Sequence, residues 1–178
     1  PSEVFSDTDI AEIGRLRYNV WSEAGTLDTS MFPEKTWIDD MDFGKNARHW
    51  VIKEVSTGVI IAAARLTRHE SLEDDYRDVK LWKEKGFPLK VPLVDFGRQC
   101  VRSDYRRRGC AKALDEIRII EAKTWTGING IVPKNAVCTC SDIKVQALCE
   151  LGFFPINQTA VFADRPTTTF HALQYNFE

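Results

Sequence analysis

The chain has 178 residues, of which 43% are hydrophobic and 28% are charged, and its formal net charge is −2. This composition is typical of a soluble globular protein and argues against intrinsic disorder. Because the charge balance is slightly acidic, we expect no nucleic-acid partner, and no apolar run reaches the length of a membrane span. The first residues lack a basic segment followed by an apolar one, so we expect a cytoplasmic protein without a signal peptide.

Five cysteines, an odd number, occur without the spacing of a disulfide framework, as is typical of reduced thiols in the cytosol. Cys138 and Cys140 form a C-x-C pair, but no histidine lies near them in the sequence. We therefore expect no metal site and interpret the pair as small strand residues, with zinc as the alternative.

Apolar residues recur at helical spacing near the start of the chain and predict an amphipathic helix over about 8–24. Ser6 and Asp9 suit its N-terminal cap, and Gly25 is expected to end it. A short helix is expected next, around 34–41. The apolar positions of the first helix are Ile10, Ile13, Leu16 and Val20.

Two strands joined by a hairpin are predicted over 49–55 and 59–67, because β-branched residues flank the turn sequence Ser-Thr-Gly at 56–58. The charged stretch 71–86 is expected to be a helix or a loop with a solvated face. A further strand, rich in β-branched residues, is predicted over 91–101.

The second half of the chain continues the alternation of helices and strands. Neither a linker nor an internal repeat interrupts it, so residues 1–178 are predicted to form one α/β domain. The predicted elements are a long helix at 107–125, a strand at 130–140, a helix at 141–152 and strands at 153–156, 159–163 and 168–176.

Three consecutive arginines, Arg106, Arg107 and Arg108, stand at the turn before the long helix. Gly109 permits a tight turn, and the small residues that follow it leave the first N–H groups of the helix accessible. Arginines are unfavourable at the positive end of a helix dipole, but a bound polyanion offsets that cost. The pattern therefore predicts a phosphate site.

The alternative is a solvated basic turn whose arginines pair with surface acids such as Asp104 or Asp115. The turn lacks the spacing of the G-x-x-x-x-G-K-[ST] phosphate loop, which disfavours ATP or GTP hydrolysis. It also lacks the pattern G-x-G-x-x-G after an early strand, which disfavours a dinucleotide-binding fold.

The segment VRSDYRRRGCAKAL resembles motif A of the GNAT superfamily of N-acyltransferases, whose pattern is R/Q-x-x-G-x-G/A. Arg106, Gly109 and Ala111 occupy the three defining positions of that motif. The predicted order of elements resembles the family as well, as does Gly152-Phe153 after the last helix.

This resemblance implies an α/β fold with a twisted mixed β-sheet, flanked by helices and splayed between its fourth and fifth strands at the acyl-CoA site. It implies acetyl-CoA or another acyl-CoA as the donor, its pyrophosphate held by backbone N–H groups from Arg106 to Cys110 and Ala111. It also implies a β-bulge in the strand at 94–101, with an N–H at Cys100 or Val101 polarising the thioester carbonyl. The reaction is then direct attack of an amine on the thioester.

Asp95 is the candidate general base or substrate anchor. A carboxylate inside the apolar run Leu-Val-Asp-Phe is costly unless it is used or paired. The alternative is an ion pair with Arg98 or with another cation. The side chain of Arg98 would point to the opposite face of an unbroken strand. A bulge near Gly97 would bring the two side chains to one face.

Two positions depart from the family pattern. The tyrosine that usually serves as general acid is replaced by Leu148, which has no proton to donate, and the usual asparagine at the start of that helix is replaced by Ser141. The neighbouring Cys149 is expected to be a buried small residue. Protonation of the leaving thiolate is then left to solvent or to another tyrosine.

A second resemblance is to the acyl-homoserine-lactone synthases and the N-acyl amino acid synthases, and it implies substrate contacts by arginines and a tryptophan. The alternative is structural: a helix flank that caps the core, solvated turn acids and a paired arginine. The matching residues are Arg17 and Trp21 (R-x-x-x-F/W), Asp39 and Asp42 (D-x-x-D), Arg65 at the end of the hairpin, and Asp95 and Arg98 (E-x-x-R).

These resemblances predict a GNAT-type N-acyltransferase that moves an acyl group, most simply acetyl, from acyl-CoA to a primary amine of a small molecule. One alternative is a longer-chain N-acyl synthase supplied by acyl-CoA or acyl carrier protein. The other is a family member that binds CoA without catalysis. The acceptor and the oligomeric state are left open.

Overall fold

The computed structural model describes residues 1–72, 77–86, 89–127 and 130–177. The described residues form seven strands: β1 (Ser2–Val4), β2 (Ala47–Lys53), β3 (Ile60–His69), β4 (Leu93–Val101), β5 (Asn135–Ser141), β6 (Phe154–Phe162) and β7 (Arg165–Asn176). They also form four α-helices: α1 (Asp7–Glu23), α2 (Arg77–Glu84), α3 (Cys110–Thr124) and α4 (Asp142–Glu150). Short 3₁₀ helices span Thr29–Met31, Asp40–Phe43 and Ser103–Tyr105.

The strands belong to one mixed sheet with the order β1-β2-β3-β4-β5-β7-β6. β1 runs antiparallel to β2, β4 runs parallel to β5, and β5 runs antiparallel to β7. The described register of β4 with β5 goes from Leu93↔Asn135 to Asp95↔Val137, whereas β5 pairs with β7 along its whole length. β4 thus pairs with β5 at its beginning, as expected for a sheet that splays between these strands, and the predicted fold class is confirmed.

The chain divides into two compact units whose boundaries fall inside β3, β4, α3, β6 and β7. The first unit contains Pro1–Arg65, Arg98–Ile117 and Val161–Thr168, and the second contains Leu66–Gly97, Arg118–Ala160 and Thr169–Glu178. The single domain predicted for residues 1–178 stays a prediction.

The apolar face of α1 forms the core of the first unit. Its four buried apolar residues, at the spacing predicted for an amphipathic helix, pack on β1–β4 together with Val4, Val51, Ile60, Ala63 and Cys100. Ser6 caps α1 by accepting the N–H of Asp9, as predicted. Gly25, with φ of 68°, follows the helix end.

Gly14 lets the segment after the first 3₁₀ helix approach α1 closely. A Cβ at this position would lie 2.4 Å from Ile38 Cγ1 and 2.5 Å from Thr36 Oγ1. The N–H of Trp37 donates to the carbonyl of Gly14 at 3.0 Å. A small residue on the helix therefore fixes the position of Trp37 and of the acidic segment that follows it.

Aromatic packing and a buried arginine stabilise the second unit. The Phe153 ring lies 5.3 Å from that of Phe96 and 5.2 Å from that of Tyr175, measured between centroids. Buried Arg68 donates to the carbonyls of Trp125 and Ile131, each at 2.6 Å. These bonds connect β3 to the chain that leaves α3.

Several predicted elements need correction. The helix expected at 34–41 is wrong: Lys35 has a φ of 51°, the Trp37 N–H bonds to α1, and a 3₁₀ helix begins at Asp40. The strands expected at 153–156 and 159–163 are one strand, β6, which contains Asn157 with a φ of 55°. Of the stretch 71–86, predicted as a helix or a loop, residues 77–84 form α2, and 73–76 lie outside the described residues.

Candidate active site

The arginine-rich turn leaves the end of β4 through the 3₁₀ helix Ser103–Tyr105 and reaches α3 at Cys110. The long helix therefore begins three residues later than predicted. Arg107 and Gly109 have φ values of 62° and 81°, whereas Arg108 between them has a negative φ. An alternation of φ signs directs successive N–H groups toward one concavity, a backbone arrangement that binds anions.

The amide N–H groups of residues 107–112 donate to no acceptor among the described residues. The N–H of Arg106 is used within the turn, where it donates to the carbonyl of Ser103 at 3.3 Å. Intrahelical bonding starts at Ala113, whose N–H donates to the carbonyl of Gly109 at 3.0 Å. Six consecutive donors, which we name the amide turn (residues 107–112), thus remain available, because the first N–H groups of a helix have no partner within it.

The amide turn is open at Gly109 with respect to the described residues. A Cβ built there meets no atom within 4 Å. The side chains of Arg106, Arg107 and Arg108 are exposed. No carboxylate in the described part of the chain forms an ion pair with any of these arginines, although the nearby charge of Arg108 helps to lower the pKa of Asp104. Asp104 instead binds Arg102, with Nε at 2.7 Å and Nη2 at 2.9 Å.

A second set of arginines is buried around one carboxylate. Asp42 Oδ2 accepts Nη1 of Arg17 at 2.8 Å, and Asp42 Oδ1 accepts Nη1 of Arg65 at 2.7 Å. Arg17 is 1% exposed and Arg65 0%. The N–H of Asp39 also donates to Asp42 Oδ2, at 2.9 Å. The first 3₁₀ turn after Asp39 thereby orients Asp42 toward both arginines.

Asp39 extends this arrangement to β4. Its carboxylate accepts Nη1 of Arg65 at 2.6 Å and Nη2 of Arg98 at 2.6 Å. Arg98 has a φ of 54° in the middle of β4, a left-handed conformation that is strained for a residue with a side chain and is compatible with the predicted bulge. We name Arg17, Asp39, Asp42, Arg65 and Arg98 the guanidinium network.

Electrostatics keep the network ionised. Burial raises the pKa of Asp42, but Arg17 and Arg65 outweigh burial and hold this pKa below its usual range. Asp39 behaves in the same way, with Arg65 and Arg98 lowering its pKa against burial. Burial and, after it, the charge of Arg17 lower the pKa of the neighbouring His49 to about 4, so the imidazole stays neutral at pH 7.

Aromatic rings and a fourth arginine border the network. The Trp37 ring has the guanidinium carbons of Arg98 and Arg165 each 4.8 Å from its centroid. Arg165 Cζ also lies 5.1 Å from the ring centroids of Trp21 and of Phe162. The β6–β7 turn is held to the segment after α1 by the N–H of Asp28, which donates to the carbonyl of Asp164 at 2.9 Å.

The structure brings together Arg17, Arg65 and Arg98 from the predicted substrate residues, and Trp21 lies beside Trp37 at 6.2 Å between centroids. Asp39 and Asp42 are not the solvated turn residues of the alternative interpretation, because both bind arginines. Arg98 pairs with Asp39 rather than with Asp95 in the contacts that the structure describes.

Asp95 is fully buried in the part of β4 that pairs with β5. Cys100 is also buried, and burial raises the pKa of its thiol to about 11, while Val101 is half-buried. Leu148 is a core residue and Ser141 precedes α4. Cys149 is exposed, which corrects the expectation of a buried thiol: it lies one position further round the helix from the buried Leu148.

Trp37, Arg165 and the amide N–H of Lys112 were missed as site residues. The pattern W-x-D was a usable signal for Trp37, because the tryptophan lies two residues before Asp39, the first aspartate of the D-x-x-D pair. Arg165 had no local signal, because it reaches the network from a distant part of the chain.

Among the described residues, no group of three or more His, Cys, Asp or Glu side chains is placed to hold a metal ion. None of the described helices combines the length and the apolar character that crossing a bilayer requires.

Comparison with known proteins agrees with this geometry. A family profile described as “Acetyltransferase (GNAT) domain” matches residues 16–115, more than half of the chain. Among curated proteins, no sequence matches significantly.

Solved structures with the same fold include Escherichia coli ElaA, an N-acyl amino acid synthase and an acyl-homoserine lactone synthase. Escherichia coli ElaA is 16% identical with a TM-score of 0.65, and the alignment covers 98% of each chain. FeeM, an N-acyl amino acid synthase from uncultured soil microbes, is 12% identical with a TM-score of 0.66, over 98% of this chain and 88% of FeeM. BjaI, a CoA-dependent acyl-homoserine lactone synthase, is 15% identical with a TM-score of 0.65, over 97% of this chain and 77% of BjaI.

At such identities the structures establish the fold, and the profile establishes the family: the chain belongs to the GNAT acyltransferases.

Proposed function

We propose that this protein transfers an acyl group, most simply acetyl, from acyl-CoA to a primary amine of a small molecule. The observation that carries the proposal is the amide turn, whose six adjacent N–H donors have no acceptor in the described part of the chain, together with three exposed arginines. Phosphate oxygens match both kinds of donor, because backbone amides and guanidinium groups form charge-assisted hydrogen bonds with them. The pyrophosphate of CoA supplies such oxygens in a linker of suitable size.

The reaction forms a bond between the amine nitrogen and the acyl carbon and breaks the bond between that carbon and sulfur. The attacking amine loses one proton, and the departing thiolate gains one from solvent. Asp95 is the proposed base or anchor for the amine, because it is a fully buried carboxylate in an otherwise apolar stretch of β4. Asp95→Asn is expected to lower kcat while leaving the dissociation constant of CoA unchanged. An unchanged kcat would contradict a role for Asp95 in the reaction.

Cys110 offers a direct test of donor binding at the turn. Its thiol is partly exposed at the first position of α3, whereas the thiol of Cys149 is exposed in α4. Iodoacetamide should alkylate both residues in the free protein. Desulfo-CoA, which carries no competing thiol, should slow alkylation of Cys110 and leave that of Cys149 unchanged. Peptide mass spectrometry reads both sites in one sample, and equal protection of the two cysteines would contradict binding at the amide turn.

Variants of the turn separate donor binding from folding. Arg106→Ala and Gly109→Val should raise the donor KM about tenfold or more, since each removes a charge-assisted contact or blocks the approach to the amides. Matched controls are Arg15→Ala, an exposed arginine on α1, and Gly86→Val, where φ is 74° and a Cβ also meets nothing within 4 Å. A donor KM that changes no more than in the controls would rule out the turn as the donor site.

A longer-chain N-acyl synthase is the second candidate, and the arrangement around Trp37 favours it. Arg98 and Arg165 lie against this ring while they bind Asp39 and Asp164, and a carboxylate on the acceptor is the kind of group that exchanges with such partners. FeeM is an N-acyl amino acid synthase by its description. A panel of amino acids and their amides, each with acetyl-CoA and a long-chain acyl-CoA, separates the candidates by which pair releases CoA thiol fastest.

A further inference from the structure

Tyr105 lies at the end of the 3₁₀ helix that leads into the amide turn. Its ring has two guanidinium carbons close to it, Arg102 Cζ at 4.6 Å and Arg108 Cζ at 5.0 Å from the centroid. Both distances are within the range of cation–π attraction, which arises from the negative face of the aromatic ring. The tyrosine therefore contacts one arginine that precedes it and one that belongs to the turn.

The two arginines differ in their charge partners. Arg102 binds the carboxylate of Asp104 through two of its nitrogens, so its charge is largely compensated. Arg108 forms no ion pair with a carboxylate of the described residues, and its side chain is exposed. An exposed arginine samples many rotamers in water, and binding then costs the entropy of ordering it. Contact with a fixed ring restricts Arg108 before any ligand arrives.

The ring itself is fixed from the β2–β3 hairpin. The Tyr105 hydroxyl donates a hydrogen bond to the Glu54 carboxylate, which also accepts the hydroxyl of Thr57 at 2.5 Å. The bond to Glu54 raises the pKa of Tyr105, so the hydroxyl keeps the proton that it donates. The backbone just before Tyr105 is also bonded to β3, because the N–H of Arg102 donates to the carbonyl of Ile61 at 2.9 Å.

We propose that Tyr105 is a positioning residue for the acyl donor: its ring, anchored on Glu54, holds the Arg108 guanidinium beside the amide turn for an anionic group of the donor. This inference rests on the proposed function, in that the amide turn is taken as the site of the donor phosphates. Tyr105 does not touch the donor itself in this arrangement. Its whole effect on donor binding passes through Arg108.

A double-mutant cycle with CoA as the probe tests this dependence. Tyr105→Leu should weaken CoA binding about two- to fivefold, the size expected of an exposed cation–π contact, and Arg108→Ala should weaken it about tenfold or more. Tyr105→Leu in the Arg108→Ala background should cause no further loss. In the Arg102→Ala background it should cause the full loss again. Isothermal titration calorimetry gives the dissociation constants of the unaltered protein and the five variants, and thermal unfolding verifies that each variant is folded.

The hydroxyl is tested by Tyr105→Phe and Glu54→Gln. Each should weaken CoA binding by a smaller factor than Tyr105→Leu, and the two changes together should do no more than either alone. Tyr175→Phe, whose ring lies 5.9 Å from Lys123 Nζ, is the matched control and should leave the dissociation constant unchanged.

The outcomes separate this inference from the proposed function. Failure of the unaltered protein to bind CoA would overturn both. CoA binding that Tyr105→Leu weakens equally with and without Arg108 would overturn the inference alone, because the ring would then contact the donor directly. CoA binding that Tyr105→Leu leaves intact would overturn it as well.

Discussion

Two groups of three arginines in this protein occupy opposite environments. Arg106–Arg108 stand in solvent beside the amide turn, without an ion pair among the described residues. The arginines of the guanidinium network are buried, and each binds Asp39 or Asp42. In the first group no arginine forms an ion pair with a carboxylate of the described residues, although the charge of Arg108 helps to lower the pKa of Asp104. In the second group three arginines share the two carboxylates of Asp39 and Asp42.

The difference indicates which arginines are available to bind a ligand. A buried guanidinium without a carboxylate is costly, so the network supplies its own anions and resists rearrangement. Exposed arginines cost little, because water solvates them, and they are free to exchange that water for phosphate oxygens. We infer that the turn recognises the donor and that the network holds α1, the 3₁₀ segment and β4 in place. Substitutions in one region, with matched controls in the other, test this distinction.

The largest expected effect is on folding stability and comes from the network. Arg65→Met leaves two carboxylates short of a buried cation and is expected to lower the free energy of unfolding by about 3–5 kcal/mol. Arg107→Met is the matched control in the turn, where an exposed substitution changes stability by about 0.5 kcal/mol or less. Urea denaturation followed by tryptophan fluorescence measures both. Similar losses in the two variants would erase the distinction between the regions.

A second effect on stability depends on pH and comes from His49. Its pKa is about 4 in the folded protein, against 6.5 for the free side chain, because burial and Arg17 disfavour its charged form. Between these values the unfolded chain binds more protons than the folded one, so stability falls as the pH is lowered from 6.5 to 4. At about 1.4 kcal/mol for each pH unit of displacement, His49 contributes a loss of about 3 kcal/mol over this window.

His49→Gln removes this titration and should flatten the pH dependence of the free energy of unfolding between 4 and 6.5. The variant loses the contact between Nε2 and the Asp42 carbonyl, at 3.0 Å, so its stability at pH 7 also falls. The slope between pH 7 and 8 serves as the internal control, since His49 is neutral there in both states. An unchanged slope between pH 4 and 6.5 in the variant would contradict the burial of a neutral imidazole.

The turn was accessible to prediction because its physical basis is local. Gly109, the arginines before it and the small residues after it are contiguous. These residues alone indicate a tight turn whose amide N–H groups are accessible. The helix predicted from residue 107 begins at Cys110 in the structure, because a residue pattern does not reveal that Arg107 adopts a positive φ.

The network was accessible only in part. The resemblance to the acyl-homoserine-lactone and N-acyl amino acid synthases indicated its five members. The partner of each arginine, however, depends on how α1, the 3₁₀ segment and β4 pack together. The wrong helix at 34–41 has the same cause, since the hydrogen bond from Trp37 to Gly14 joins residues far apart in the chain. Arg165 was missed because it enters from the β6–β7 turn near the end of the chain.

The smallest expected effect, on ligand affinity, separates the two regions by salt. Raising NaCl from about 50 mM to about 500 mM shortens the Debye length from roughly 14 Å to roughly 4 Å, and exposed charges then attract phosphates less strongly. The dissociation constant of CoA should rise about three- to tenfold. The free energy of unfolding should change far less, because the ion pairs of the network are shielded from solvent ions by burial. A variant with Arg106, Arg107 and Arg108 all replaced by alanine should lose most of the salt dependence of CoA binding. If the dissociation constant of CoA depended on salt as strongly in this variant as in the unaltered protein, the attraction for the donor would come from other charges. The turn arginines would then be solvated surface residues.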